Sequence, residues 1–212
     1  NLDTKKVSIV EASQSIQLMQ GTEEEESGEE GHEGHNHSHE LDPHVWLDPV
    51  LAQKEVTAIR DALIKKYPEK KAVFEKNTAA YLEKLTALDK EYQAAFAGAK
   101  NRTFVTQHAA FGYLAKQYDL TQEPIAGISP DQEPSPSRLA ELKKYIKTNN
   151  VSVIYFEASA STKVAKTLAD ETGVELAVLN PLESLTQKEQ EAGENYVSVM
   201  KENLAALQKS IH

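Results

Sequence analysis

The chain has 212 residues, of which 40% are hydrophobic and 26% charged, enough to bury a core. No apolar run approaches the roughly 18 residues of a membrane-spanning helix, and Asn1 opens no secretory-leader pattern. Lys and Arg number 23 against 33 Asp and Glu, and the net charge of −10 argues against nucleic acid, whose phosphates need a basic surface. There is no cysteine, which excludes disulfides, thiolate metal sites and thiol nucleophiles.

Val7 to Val10 reads as a strand and Ser13 to Met19 as a short helical stretch. Residues 21–40 are different in kind. Glu23 to Glu26, Glu29 and Glu30 precede His32, His35, His37 and His39, with no apolar residue to offset the ordering entropy. This segment is expected to be a mobile inserted loop. Asp48-Pro49 then marks a helix start, with Val56, Ile59 and Leu63 on one face and Pro68 at its end. A longer helix is expected over Glu69 to Ala97, where Tyr81, Leu85, Leu88, Tyr92 and Phe96 recur at threes and fours. At 1.5 Å per residue it would be roughly 40 Å long, enough to join two lobes.

From Arg102 onward strands and helices alternate. Strands are expected at Thr103 to Thr106, Gln122 to Ala126, Val151 to Phe156 and Glu175 to Leu179. Helices are expected at Ala109 to Tyr118, Ser135 to Thr148, Thr162 to Thr172 (closed by Gly173) and about Gln187 to Lys209. Four strand–helix units in succession predict an α/β lobe, a mostly parallel sheet flanked by helices. Residues 1 to 68 supply too little to sheathe a second sheet. Either the first strand joins the later lobe or the amino-terminal lobe is incomplete, and the second reading is preferred. The organisation expected is a partial amino-terminal lobe over 1–68, a connecting helix over 69–100 and a carboxy-terminal lobe over 101–212.

Chemistry is concentrated in the histidines. His32, His35, His37 and His39 sit at spacings of three, two and two, a tract that binds zinc, nickel or copper loosely or serves only as a solvated linker. His44 stands beside the only tryptophan, just before a capped helix. Asp42 or Asp48 could hold its second nitrogen and fix the tautomer, although a structural histidine in a turn would fit the same residues. His108 follows a strand of the parallel sheet, on the side where open sheets build ligand sites. Glu157 and Glu183 follow two other strands, each a candidate third ligand. Glu157 could equally start a helix or pair with a cation, and Glu183 could be a solvated loop residue. The chain lacks a Gly-x-Ser-x-Gly elbow, a phosphate loop, a dinucleotide fingerprint and a His-Glu-x-x-His pair, and Ser159 has no evident partner base.

Three segments in this order resemble the cluster A-I family, the substrate-binding proteins of bacterial ABC importers for zinc and manganese. They are Asp42-Pro-His44-Val-Trp46-Leu-Asp48-Pro49, Thr106-Gln-His108-Ala-Ala-Phe-Gly112-Tyr113-Leu114 and Glu133-Pro-Ser-Pro136. The His-rich acidic loop before the first segment is similar to the zinc-specific branch. The resemblance implies two lobes joined by one helix, with Zn²⁺ (Mn²⁺ less readily) held between them and passed to an ABC permease in the membrane. It also implies an extracytoplasmic location, on a lipoprotein or in the periplasm, and a monomer when full length.

Carried over, His44 and His108 match the second and third histidine ligands of the family. Glu183, in Asn180-Pro-Leu-Glu183-Ser184, stands where the family places an acidic ligand, more often aspartate. Glu157 remains its rival. The family's first histidine has no match here, which implies three of four protein ligands, the fourth being water or a loop histidine. Two other readings stand beside metal transport. One is a metal-dependent hydrolase with Glu157 as general base. The other is a surface adhesin, a role also described in this family. An incomplete lobe would expose an edge and an apolar face, from which self-association of this chain is expected.

Overall fold

The structure, a computed structural model, describes residues 7–21, 41–129, 134–158 and 161–212. A single 3-10 turn over Val45–Leu47 leads into helix α1, Pro49–Lys66. Asp48 caps α1 by accepting from the Val50 amide at 2.7 Å, and Pro49 fills the first position, where no donor is needed. Tyr67 and a turn over Pro68–Lys70 reverse the chain into α2, Lys71–Phe96, about 39 Å long, which packs along α1. The carboxy-terminal half of α2 is the anchored half. Leu85, Leu88, Tyr92 and Phe96 are buried at helical spacing, and the Tyr92 hydroxyl donates to the Met200 carbonyl at 2.7 Å.

After α2 the chain alternates: β1 Thr103–Thr106, α3 Gly112–Gln117, β2 Thr121–Pro124, α4 Pro136–Thr148, β3 Val153–Phe156, α5 Lys163–Thr172 and β4 Glu175–Val178. Then come α6, Gln187–Glu191, and α7, Tyr196–Leu207. The strands form a parallel sheet in the order β2-β1-β3-β4. Side-chain alternation divides it into two faces. Phe104, Val153, Tyr155 and Ala177 pack with α2, α3 and α7 in one core, while Val105 and Ile154 pack with α4 and α5 in the other. The expected α/β sheet with helices on both faces is therefore what forms. Because α3 and α5 leave toward opposite faces, the strand order switches direction between β1 and β3, and open α/β sheets build ligand sites outside the carboxyl ends at such a point.

Three expectations are corrected. Val7 to Val10 is not a strand: its residues are exposed and no described strand lies beside them to complete a ladder. Ser13 to Met19 forms a turn with only Ile16 buried, packed with Val45 and Tyr113. The last helix is two, because Gly193 takes a left-handed φ of 78° and Asn195 starts a new capping box with Ser198. The helix after β1 also begins later than expected, at Gly112, which leaves residues 107–111 as a bend. The acidic loop with His32, His35, His37 and His39, and Glu133 and Ser159, lie outside the described residues.

Candidate metal centre

Three chain segments separated by long stretches of sequence bring their polar atoms together. His44 comes from the turn before α1, His108 from the bend after β1 and Glu183 from the loop after β4. One ligand atom of each lies within 4.8 Å of the others. His44 is 2% exposed and His108 is 0% exposed, while Glu183 is on the open side. Glu183 Oε1 is 3.1 Å from Nε2 of His44 and 3.4 Å from Nε2 of His108. Zinc–ligand bonds of about 2.0 to 2.1 Å in a tetrahedron place ligand atoms about 3.3 Å apart. The two nitrogen–oxygen separations straddle that edge length.

Each imidazole is gripped from behind by a carboxylate. The Nδ1 of His44 meets Asp42 Oδ1 at 2.7 Å, and the same oxygen accepts the His44 backbone amide at 2.9 Å. Nδ1 of His108 is hydrogen-bonded to Glu157, itself buried. With both Nδ1 atoms so engaged, both Nε2 atoms face the shared space. Nε2 of His108 is buried and, among the described residues, has no hydrogen-bond partner. A buried polar atom in that condition is costly unless something else satisfies it.

Of the two sequence candidates for a third ligand, Glu183 joins the group and Glu157 does not: its carboxylate sits on the far nitrogen of His108. Of the two aspartates suggested for His44, Asp42 takes the role and Asp48 is spent on the α1 cap.

The surroundings fix the three carriers. Trp46 Nε1 donates to the Pro181 carbonyl at 2.9 Å, tying the His44 turn to the Glu183 loop, and the Tyr196 hydroxyl of α7 donates to the Trp46 carbonyl at 2.6 Å. That loop is pinned at its root by Asn203, which accepts from the Asn180 amide at 2.9 Å and donates to the Asn180 carbonyl at 2.7 Å. Thr106 Oγ1 and Gln122 Nε2 both donate to the His108 carbonyl, at 2.7 and 3.0 Å. The Gln107 amide oxygen accepts from the Glu157 amide at 3.2 Å.

The family model for zinc-uptake complex component A, periplasmic, matches residues 1–210. The chain belongs to this family. It is 56% identical over 209 residues to the zinc-binding lipoprotein AdcA of Streptococcus pneumoniae, covering 99% of this chain and 42% of that protein. It is also 56% identical over 202 residues to the high-affinity zinc uptake system protein ZnuA of Bacillus subtilis, covering 95% of this chain and 63% of that one. The crystal structure of the Zn(II)-bound ZnuA-like domain of Streptococcus pneumoniae AdcA superposes with a TM-score of 0.78 at 51% identity, over 99% of this chain and 72% of that domain. The chain thus spans less than two thirds of the length of these curated relatives.

In this member of the zinc-uptake component A family, the candidate residues His44 and His108 lie in segments with a recognisable sequence pattern. Several supports gave no separate signal in the sequence. Trp46 and Tyr196 are 150 positions apart, and Asn203 lies inside a helix, where polar residues usually face solvent. Only its burial identifies it as a bracket.

Proposed function

We propose that the chain captures Zn²⁺ through Nε2 of His44, Nε2 of His108 and the carboxylate of Glu183. It would do so as the metal-binding part of an extracytoplasmic protein that delivers zinc to an ABC permease. The convergence of those three atoms, two of them on buried imidazoles held by carboxylates, carries the reading. In metal-bound histidines the second ring nitrogen is characteristically engaged by a carboxylate or carbonyl, which sets the tautomer and raises ligand basicity. Two imidazoles favour zinc over manganese, which prefers oxygen donors. These three residues supply three of the four positions of a tetrahedral zinc site.

Domain limits of 1–68, 69–100 and 101–212 would place the ion in a cleft between a partial amino-terminal lobe and the α/β lobe. The histidines at 32, 35, 37 and 39 would gather zinc more weakly. The names of the relatives support a zinc-uptake role. No helix among the described residues is long and apolar enough to cross a membrane.

The test is a zinc competition titration against a chromophoric chelator at neutral pH, on the chain with and without residues 22–40. One tight equivalent that survives loop removal and is lost in H44A, H108A and E183A is the expected result. Weak, multiple binding that disappears with the loop would refute the cleft as the site.

A further inference from the structure

Unlike Gly98, Gly173 and Gly193, Gly112 is a glycine whose identity is not explained by its own backbone. Gly98, Gly173 and Gly193 have φ between 73° and 78°, the left-handed region that glycine tolerates best, and a Cβ on any of them would meet nothing within 4 Å. Gly112 lies outside that region and opens α3, where any residue could adopt the backbone. A Cβ there would instead lie 3.2 Å from Asp42 Oδ2 and 3.7 Å from Met19 Cε. The space above Gly112 is therefore filled by the carboxylate that holds His44.

The next residue completes the seat. The Tyr113 hydroxyl donates to the Asp42 carbonyl at 2.7 Å and accepts from the Met19 amide at 2.7 Å, and the Asp42 amide donates to the Met19 carbonyl at 2.9 Å. Asp42 is 4% exposed, its backbone is tied at both ends, and its Oδ1 takes two hydrogen bonds from His44. Pro43 between them restricts the backbone of the linking residue. Turning the His44 ring would forfeit the Nδ1 bond, and shifting the Asp42 carboxylate would drag the ring with it.

We propose that Asp42, seated on Gly112 and Tyr113, is the positioning residue of His44, so that the helix following His108 also sets the aim of His44. The two histidines come from distant parts of the chain. Through this seat each is referenced to the same turn of α3 before any metal arrives. The proposal rests on the reading of His44, His108 and Glu183 as zinc ligands and adds how two of them are brought into register. A ligand cage already in register avoids an ordering cost on binding, and loss of such outer support typically weakens metal affinity 10- to 100-fold.

The experiment measures zinc affinity of the whole chain by chelator competition for wild type, H44A, D42A, D42N and G112A. A second readout is the nitrogen NMR signature of the His44 ring tautomer without metal, at a pH where the imidazole is neutral. D42A should weaken the tight equivalent by about 10- to 100-fold and give mixed tautomers, which a purely structural role would not do. D42N should recover most of the affinity, because its amide oxygen can accept both His44 hydrogen bonds. G112A should bind several-fold more weakly with unchanged circular dichroism, since alanine suits a helical residue and only the Asp42 seat is disturbed.

Wild-type affinity in G112A, or a D42N as weak as D42A, would overturn the positioning role while H44A still loses the site. Should D42A not fold, G112A and D42N decide alone. If H44A itself retains the tight equivalent, the ligand assignment falls first and the proposal with it.

Discussion

His44 lies between two carboxylate oxygens, Asp42 at 2.7 Å on one nitrogen and Glu183 at 3.1 Å on the other. Burial pulls its pKa down, but the hydrogen bonds and charges of Asp42 and Glu183 outweigh that and raise it above 6.5. A proton on Nε2 would occupy the place proposed for the cation, and zinc would have to displace it. The sign is opposite for two measurements. Zinc affinity should fall as pH is lowered through the raised pKa, by up to about tenfold per pH unit for one displaced proton, as chelator competition across that range would show. Metal-free stability moves the other way. The His44 contribution is fully present below 6.5 and is lost as pH rises through the folded-state value.

Asp48 is a second group with a shifted pKa, away from the proposed ligands. Burial, with Asp89 nearby, lifts its carboxyl from 3.8 to about 6 despite the amide hydrogen bonds of the α1 cap. A raised folded pKa means that the native state holds the proton more tightly than the unfolded chain does, so this group makes stability fall as pH rises from 4 to 6. The change is on the order of 2 to 3 kcal/mol. D48N keeps a capping oxygen and cannot ionise. Urea unfolding of D48N should lose that slope and show a chain at least as stable as wild type at neutral pH.

At the scale of elements, placement of the proposed ligands depends on loops whose roots are fixed in the sheet. Asn203 on α7 brackets both backbone groups of Asn180, and three residues later the loop carries Glu183. N203A leaves the Asn180 amide and carbonyl without these partners, at a cost of about 1 to 3 kcal/mol. It should also lower zinc affinity without touching a ligand, which urea unfolding and chelator competition measure separately.

The same dependence explains what could be read in advance. The long helix, the four strands of the α/β lobe and their order along the chain were legible from periodicity and turn residues, because each is a local pattern with a strong period. The break between α6 and α7 was marked by Gly193 and Asn195, and a helical spacing on both sides masks such a signal. Val7 to Val10 has strand composition, but a strand forms only where another strand meets it, and composition does not carry that. For the site, spacing placed His108, Glu157 and Glu183 at the correct end of the sheet. It could not choose between the glutamates, because the choice lies in side-chain direction: Glu157 turns to the far nitrogen of His108 while Glu183 reaches the shared space.

Over the whole molecule, the proposed ion would join segments 139 positions apart in sequence, reinforcing the link made by hydrogen bonds such as Trp46 to Pro181 and by core packing. A ligand that binds only the folded chain stabilises it by mass action, about 2.7 kcal/mol at a concentration one hundred times Kd. For a chain of this length that is a rise of about 5 to 10 °C in thermal midpoint. The rise should appear with zinc and disappear on adding a strong chelator. E183Q should reduce it, because the amide keeps the shape but withdraws the charge that offsets the cation. H44A should abolish it. Deleting residues 22–40 should leave it intact, since an ion held within that loop alone would tie none of the three segments together. A zinc-dependent midpoint that vanished with residues 22–40 and survived H44A would instead place the stabilising site away from His44, His108 and Glu183.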